Sequence, residues 1–451
     1  ACFATSRFSA VTDMEDAFRE LSAEILTLLK GDEVLLLNFD GEDSYFVRFN
    51  RNAIRQAGHV HQRRLQLTLI DGRHQAAAAF QLCGQRTQDL EQARAVLDTL
   101  RQQLPFLPED PYINYAGEPH TTVQRETGSL APARDTVSGI IAAARGLDLV
   151  GLWSSGAMAR GFANSLGQFN WHSRASFNLD WSCYHRGDKA VKQDYAGFDW
   201  QQEVFEEKIA RARETLPLLA GPPRSIAPGR YRVFLAPAAL YELTTLLGWG
   251  GFDLKSHRTA QTPLLRMIRA GVTLHPGVNL TEHHAAGLAP PFTRAGFLKP
   301  QCVELIRDGV YRDCLADARS ASEYGTTVNC DLDYPQSLQI GAGELPAAEA
   351  LRALDTGLYI SNLWYCNYSD RSHCRITGMT RFACLWVENG RIVAPVNVMR
   401  FDETLYSILG SGLLALTREQ EHLFDSSTYE RRSQDSALLP GALVEGFTLT
   451  L

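Results

Sequence analysis

Zinc hydrolysis needs three protein ligands, an open position for water and a base. Two stretches of this chain hold residue types that could supply them. The first is TEHH (281–284), with His275 upstream. His283 and His284 are adjacent, so on a helix they would point about 100° apart and could not chelate together. The surrounding Pro and Gly predict a polar surface loop. The second is Cys366, His373, Cys374 and Cys384. Their spacings match no common zinc pattern. Cys384 falls in a predicted strand, where a thiol packs as a small hydrophobe. Neither HExxH nor HExxxH occurs, and there is no GxSxG, no Walker A sequence and no GxGxxG after a strand. With nine cysteines and twelve histidines, no Cys/His pair stands out.

Two aromatic bands could bind rather than react. Phe162, Phe169, Trp171, Phe177, Trp181 and Tyr184 alternate with polar residues, the pattern of strands packing on their own core. SNLWYCNYSD (361–370) sets Trp364 and Tyr365 among Asn362, Asn367 and Asp370. Polar groups among aromatics can hold a peptide backbone; a packed hairpin is the competing reading. With the strand that follows, this region yields seven candidate substrate contacts: Asn362, Trp364, Tyr365, Asp370, Thr377, Gly378 and Arg381.

The elements that must position these residues are legible in outline. Thr12 and Glu15 stand three apart, as in a capping box, ahead of a helix over about 12–30. VLLLNF (34–39), SYFVRF (44–49) and LQLTLI (65–70) read as strands, the first two joined by a hairpin at GED (41–43). Helices are predicted at about 88–103, 132–146 and 199–218. PFLPEDPY (105–112) is too rich in proline to be regular helix. LLAGPPRSIAPG (218–229) is the best linker, placing a domain boundary near 222. YRVFLAP (231–237) is a strand running into a helix, AALYELTTLLGW (238–249). Asp-Gly (308–309) and Asn-Gly (389–390) mark hairpins in VELIRDGVYRDCLAD and FACLWVENGRIVAPVN. The expected fold is α/β in the mixed α+β sense: two domains, 1–222 and 223–451, each with largely antiparallel sheets and packed helices, the second rich in hairpins.

The 451 residues are 45% hydrophobic and 21% charged, ordinary for a globular chain. Net charge is −7, and only six of 44 basic residues are lysine. No polybasic run occurs, which argues against nucleic acid or an anionic membrane as partner. No stretch reaches the ~20 apolar residues that span a bilayer. The opening ACFATSRFSAVTDMEDAF has no basic segment before an apolar core, so no secretory signal is expected. The cysteines are odd in number, scattered and without CxxC, which suits reduced thiols in the cytoplasm.

Several segments resemble the TldD/PmbA family in order along nearly the whole chain. They are GEDSYFVRFN (41–50), NSLGQFNWHSRASFNLDWS (164–182), APAALYELTTLLGWGGF (236–252), APPFTRAGFLKPQCVELIRDGVYRDCLAD (289–317), GLYISNLWYCNYSDRSHCRITGMTRFACLWVENGRIVAPVNVMRF (357–401) and SALLPGALVEGFTLT (436–450). The resemblance implies a two-subunit cytosolic peptidase that cleaves unstructured peptides, including leader peptides. One subunit, TldD-like, carries HExxxH and a distant Cys as zinc ligands; the TldE-like (PmbA-like) subunit lacks them. Here the corresponding helix reads AALYELTTLLGW, with Glu242 but no flanking His, and 405–451 contains no Cys. The stretch PFTRAG (291–296) carries Thr293 where many members have Asp. The chain thus resembles the TldE-like subunit, with no metal of its own, zinc in a TldD-like partner, and a peptide as shared substrate. Two alternatives stay open: a stand-alone peptidase with a metal site relocated to Cys366, His373, Cys374 or Cys384, and a peptide-binding adaptor without a protease partner.

Overall fold

The computed structural model describes residues 8–186 and 189–450. The amino-terminal half runs α1 (Phe8–Leu26), β1 (Val34–Asn50), β2 (Ala53–Asp71), β3 (His74–Gln81), α2 (Arg86–Gln103), β4 (Thr121–Glu126), α3 (Ala133–Ala143), β5 (Asp148–Asn164), β6 (Phe169–Arg186), β7 (Lys189–Gly197) and α4 (Gln202–Leu219). Among the described residues its strands form one sheet, in the order β3-β2-β1-β5-β6-β4 with β7 also on β6. Every pairing is antiparallel except β4 with β6. Side chains alternate across a strand. Leu35, Leu37 and Phe39 of β1 and Leu65, Leu67 and Leu69 of β2 therefore pack together against Phe18 and Ile25 of α1 and Leu97 and Leu100 of α2. Their neighbours Asn38, Asp40, Glu42, Arg64 and Gln66 fall on the opposite face.

The carboxy-terminal half runs β8 (Gly229–Leu235), α5 (Pro237–Thr244), α6 (Leu254–Arg258), α7 (Leu265–Ala270), β9 (Leu280–His283), β10 (Cys302–Arg307), β11 (Val310–Tyr311), α8 (Ala318–Tyr324), β12 (Ser337–Ile340), α9 (Ala350–Leu354), β13 (Gly357–Asp370), β14 (Arg375–Glu388), β15 (Arg391–Pro395), β16 (Arg400–Thr404), β17 (Leu413–Phe424) and β18 (Ser436–Leu449). Five of these strands close on themselves: β8 pairs β13, β13 pairs β14, β14 pairs β16, β16 pairs β18, and β18 returns to β8. Phe401 and Phe447, both wholly buried, pack with ring centroids 5.1 Å apart in the core of this half. The mixed α+β class is thus observed. Among the described residues no helix is long and apolar enough to cross a membrane.

Several local expectations hold. Asp308-Gly309 and Asn389-Gly390 both turn with positive φ (51° and 72° in each pair), the conformation a tight hairpin requires. Phe162, Phe169, Trp171, Phe177 and Trp181 are buried, and Tyr184 is half-buried. The linker segment is not loose. Arg224 donates its N–H to Pro395 O at 2.7 Å and lays its guanidinium over Trp386 at 4.4 Å.

Three expectations are corrected. GED (41–43) is no turn: β1 runs straight through it, and the hairpin turns at Arg51-Asn52, with φ of 51° and 53°. Gly41 marks a close approach instead, since a Cβ there would stand 2.8 Å from Met14 Sδ. The capping box also fails, because α1 already spans Thr12 and the buried Glu15 is bound by Arg125 of β4 through Nε at 2.8 Å and Nη2 at 2.9 Å. TEHH is not a surface loop. Glu282 and His284 are buried, and the Glu282 carboxylate accepts N–H bonds from Gln336 and Ser337 at 3.0–3.1 Å. A carboxylate satisfied by backbone donors can stay buried.

Candidate functional site

Helix α5 starts at Pro237, whose missing N–H costs nothing in a first turn. Ala239, Leu240, Leu243 and Thr244 are its buried face; the outer flank carries Tyr241 and Glu242, both half-buried. Burial raises the Glu242 carboxyl, opposed by the Lys192 ammonium. Burial pushes the Cys366 thiol up to about 12, with the Glu242 charge adding to the shift. Cys374 and Cys384 are likewise pushed up to about 12 by burial. His373 is exposed, with Nδ1 2.7 Å from Asp370 Oδ2. Among the described residues no three His, Cys, Asp or Glu side chains gather as a metal set. Among the described residues, Cys366, His373, Cys374 and Cys384 do not gather into a set that fits a zinc ion.

The seven sequence-derived contacts fall into three groups on the β13–β14 hairpin. Asn362 faces Arg381 across the ladder, and the Arg381 guanidinium lies 4.5 Å over the Trp364 ring. Trp364 is 47% exposed and Tyr365 76%. Tyr365 and, on the facing strand, Phe382 hold positive φ of 56° and 57° where the pairing register shifts. Such backbone is costly for large side chains and clusters at functional sites. Thr377 and Gly378 serve packing: Thr377 Oγ1 donates to Phe401 O at 3.0 Å, and a Cβ on Gly378 would meet the Phe401 ring at 2.7 Å. Asp370 sits at the hairpin tip, accepting from Ser372 Oγ at 2.7 Å. The structure therefore joins Asn362, Trp364, Tyr365 and Arg381, and separates the other three. Thr293 instead closes its own loop, accepting N–H from Phe297 on Oγ1 at 3.0 Å.

A second site lies where the polar face of the first sheet meets the 425–435 segment between β17 and β18. Two adjoining cavities, about 660 and 410 Å³, share Asp40, Arg64, Arg160, Arg431, Arg432 and Gln434. Asp40 is bound by Arg160 and, at 2.7 Å, by Arg431. Arg432 is 4% exposed and reaches into the sheet, donating to Ser44 Oγ and Gly156 O (both 3.4 Å), Ser176 O (3.3 Å) and Ser176 Oγ (2.8 Å). Burial pulls its guanidinium down to about 10, with Glu42 opposing. Arg160 is held well below the usual range by burial, then by the like charges of Arg431 and Arg294. None of these residues was anticipated. The Arg431-Arg432 doublet was the available signal, but nothing local shows that a sheet 390 residues earlier receives it.

Burial also pushes the Asp435 carboxyl from its ordinary 3.8 up to about 6, with Asp425 adding and a Gln336 hydrogen bond opposing. Between these values the folded chain holds a proton that the unfolded chain has lost. The group's contribution to stability is full below pH ~4 and disappears as pH rises through 6. Asp435→Asn is therefore expected to raise stability at pH 7 by about 1–2 kcal/mol and to flatten the dependence between pH 4 and 6. Urea midpoints at pH 5 and 7 check it; an unchanged slope would refute the assignment.

The halves, the strand ring behind α5 and the cleft between them define a mixed α+β protein. Residues 228–451 match the family model for the PmbA/TldA metallopeptidase C-terminal domain. The chain belongs to the TldD/PmbA family. Solved structures share the fold: TldE from Thermococcus kodakarensis (14% identity, TM-score 0.75, 97% of this chain and 100% of that one) and a proposed modulator of a DNA gyrase from Thermotoga maritima (16%, 0.73, 96% and 100%). A proposed modulator of DNA gyrase from Bacteroides thetaiotaomicron aligns with 14% identity and TM-score 0.72, over 96% of this chain and 99% of that one. No match to this sequence was found among curated proteins.

Proposed function

We propose that this chain is the non-catalytic, TldE-like subunit of a heteromeric zinc peptidase that acts on unstructured peptides in the cytoplasm. Its two units meet near residue 222. The observation that carries the reading is α5. By the sequence resemblance it corresponds to the helix that carries HExxxH in zinc-bearing members, yet it offers Glu242 without histidine, beside Cys366. The hydrolytic ion belongs to a TldD-like partner. This subunit shapes the chamber and holds substrate, with Asn362, Trp364, Tyr365 and Arg381 as the contact patch and Asp370, Thr377 and Gly378 supporting the hairpin.

Affinity capture of the chain from its native lysate is expected to retain a stoichiometric homologue carrying HExxxH, identified by mass spectrometry. The isolated chain is expected to hold far less than one zinc per molecule by plasma emission. Recovery of the chain alone would favour a free-standing peptide-binding module and overturn the subunit reading. Stoichiometric zinc lost on Cys384→Ser would overturn it in favour of a relocated metal site.

A further inference from the structure

We infer that the free edge of β2, together with the larger cavity it runs into, is a track for an extended acidic peptide segment. The inference deepens the peptide-handling reading above and names the substrate character for a surface which that reading leaves unused.

The edge comes first. β2 pairs with β1 along its whole length, but with β3 only over Arg64–Asp71. Ala53–Gln62 therefore has one side without a strand. The segment Ala53–His59 is exposed throughout. The orientation of the open groups is fixed by Arg63, whose C=O accepts Leu82 N–H at 2.8 Å on the β3 side. Outward groups recur at every second residue of an antiparallel strand. The N–H and C=O of His61, His59 and Ala57 thus face solvent, ready for an added strand that continues the line of β3. Backbone pairing of this kind is tolerant of sequence.

Charge supplies the preference. Residues 51–70 hold Arg51, Arg55, His59, His61, Arg63 and Arg64, and no Asp or Glu, in a chain whose net charge is −7. His59 and His61 both lie against Asp43 of β1, His61 at 3.7 Å, so the positive charge of the edge is that of its arginines; among the described residues no ion pair engages Arg51, Arg55 or Arg63. Arg64 pairs with the exposed Glu430 at 3.4 Å, a contact worth little in water. A basic edge repels another copy of itself, which discourages self-pairing; its complement is an acidic strand. At Gln62 and Arg64 the edge meets the larger cavity. There Arg64, Arg160, Arg431 and Arg432 stand against Asp40, Glu42 and Glu430, so the positive balance continues into the cleft.

The test uses the full chain without a partner, and fluorescein-labelled decapeptides of alternating Thr and Glu, Thr and Gln, or Thr and Lys, read by anisotropy at low and high salt. The Glu peptide is expected to bind at least tenfold more tightly than the Gln peptide, and the Lys peptide not at all. Ala57→Pro, which removes an outward N–H from an exposed position, is expected to weaken the Glu peptide about tenfold. The double variant Arg55→Gln/Arg64→Gln is expected to bring Glu and Gln peptides level and to flatten the salt dependence. Backbone amides of 55–63 are expected to gain hydrogen-exchange protection with the Glu peptide. Equal binding of all three peptides, tighter binding of a single-stranded oligonucleotide, or an Ala57→Pro variant that is folded by circular dichroism and binds normally would each overturn the track. Peptide binding with no partner in the lysate would sink the subunit reading and leave the track standing; capture of a partner with no peptide binding would do the reverse.

Discussion

Arg432→Met is expected to lower the unfolding free energy by about 3 kcal/mol. Methionine matches the length of the arginine stem and leaves little cavity, so the loss isolates the polar contacts. Ser44 Oγ, Gly156 O and both oxygens of Ser176 lose their donor, and all lie in buried surroundings. Glu42, 3% exposed, loses the charge of Arg432, with which it interacts. Stranded buried acceptors cost about 1–3 kcal/mol, and an uncompensated buried charge more. The exposed pair of Arg224 and Glu388 is the contrast, expected to change stability far less when either side is removed. Urea denaturation of the two variants separates the cases. Equal, small effects would mean that Arg432 is bound less tightly to the sheet than its contacts indicate.

Trp364→Ala with Tyr365→Ala is expected to weaken peptide affinity of the assembled complex by at least about tenfold, as loss of aromatic anchors does at interfaces. Tyr365 is largely and Trp364 about half solvent-facing, so folding is little affected through burial. The stacked Arg381 loses its platform, a contact worth about 0.5–1 kcal/mol when exposed. The positive φ at 365 supplies a control. Tyr365→Gly removes the ring and the backbone strain together, so it should stabilise the fold while weakening binding. Titration of a labelled substrate peptide against the complex measures the first effect, and thermal unfolding of the chain measures the second. Unchanged affinity in the double variant would remove the hairpin from the binding surface.

What the sequence makes legible follows from the range of the interactions. Asn-Gly and Asp-Gly specify their turns through two residues, so the hairpins at 308–309 and 389–390 are readable directly. The alternating aromatics of 162–185 mark strands packed into the core, so they too are readable. Gly41 misleads because glycine serves both turns and close approaches. Only the position of Met14, brought in by α1, decides between them. Glu282 misleads for the same reason: its satisfied burial depends on backbone donors more than fifty residues away. The cleft is the extreme case. Arg432 meets Ser44 and Ser176 only after both halves have formed, and no window of sequence contains the three.

The strand ring that backs α5 has a kinetic side. β8 and β18 are neighbours in space, yet Leu235 pairs with Ala442 across roughly two hundred intervening residues. Entropy of closing so long a loop rises slowly with its length, but it must be overcome before any contact repays it. During synthesis β8 emerges long before its antiparallel neighbour exists. It can meet β13 first, as a parallel pair over Val233–Leu235, while its other edge stays bare. The β1-β2-β3 meander, with its turns of two residues, has no such wait, and β1 closes on β5 over a shorter loop than β8 on β18. The carboxy-terminal half is therefore expected to be the slow step of refolding, and its open-edged intermediate the species from which aggregation starts.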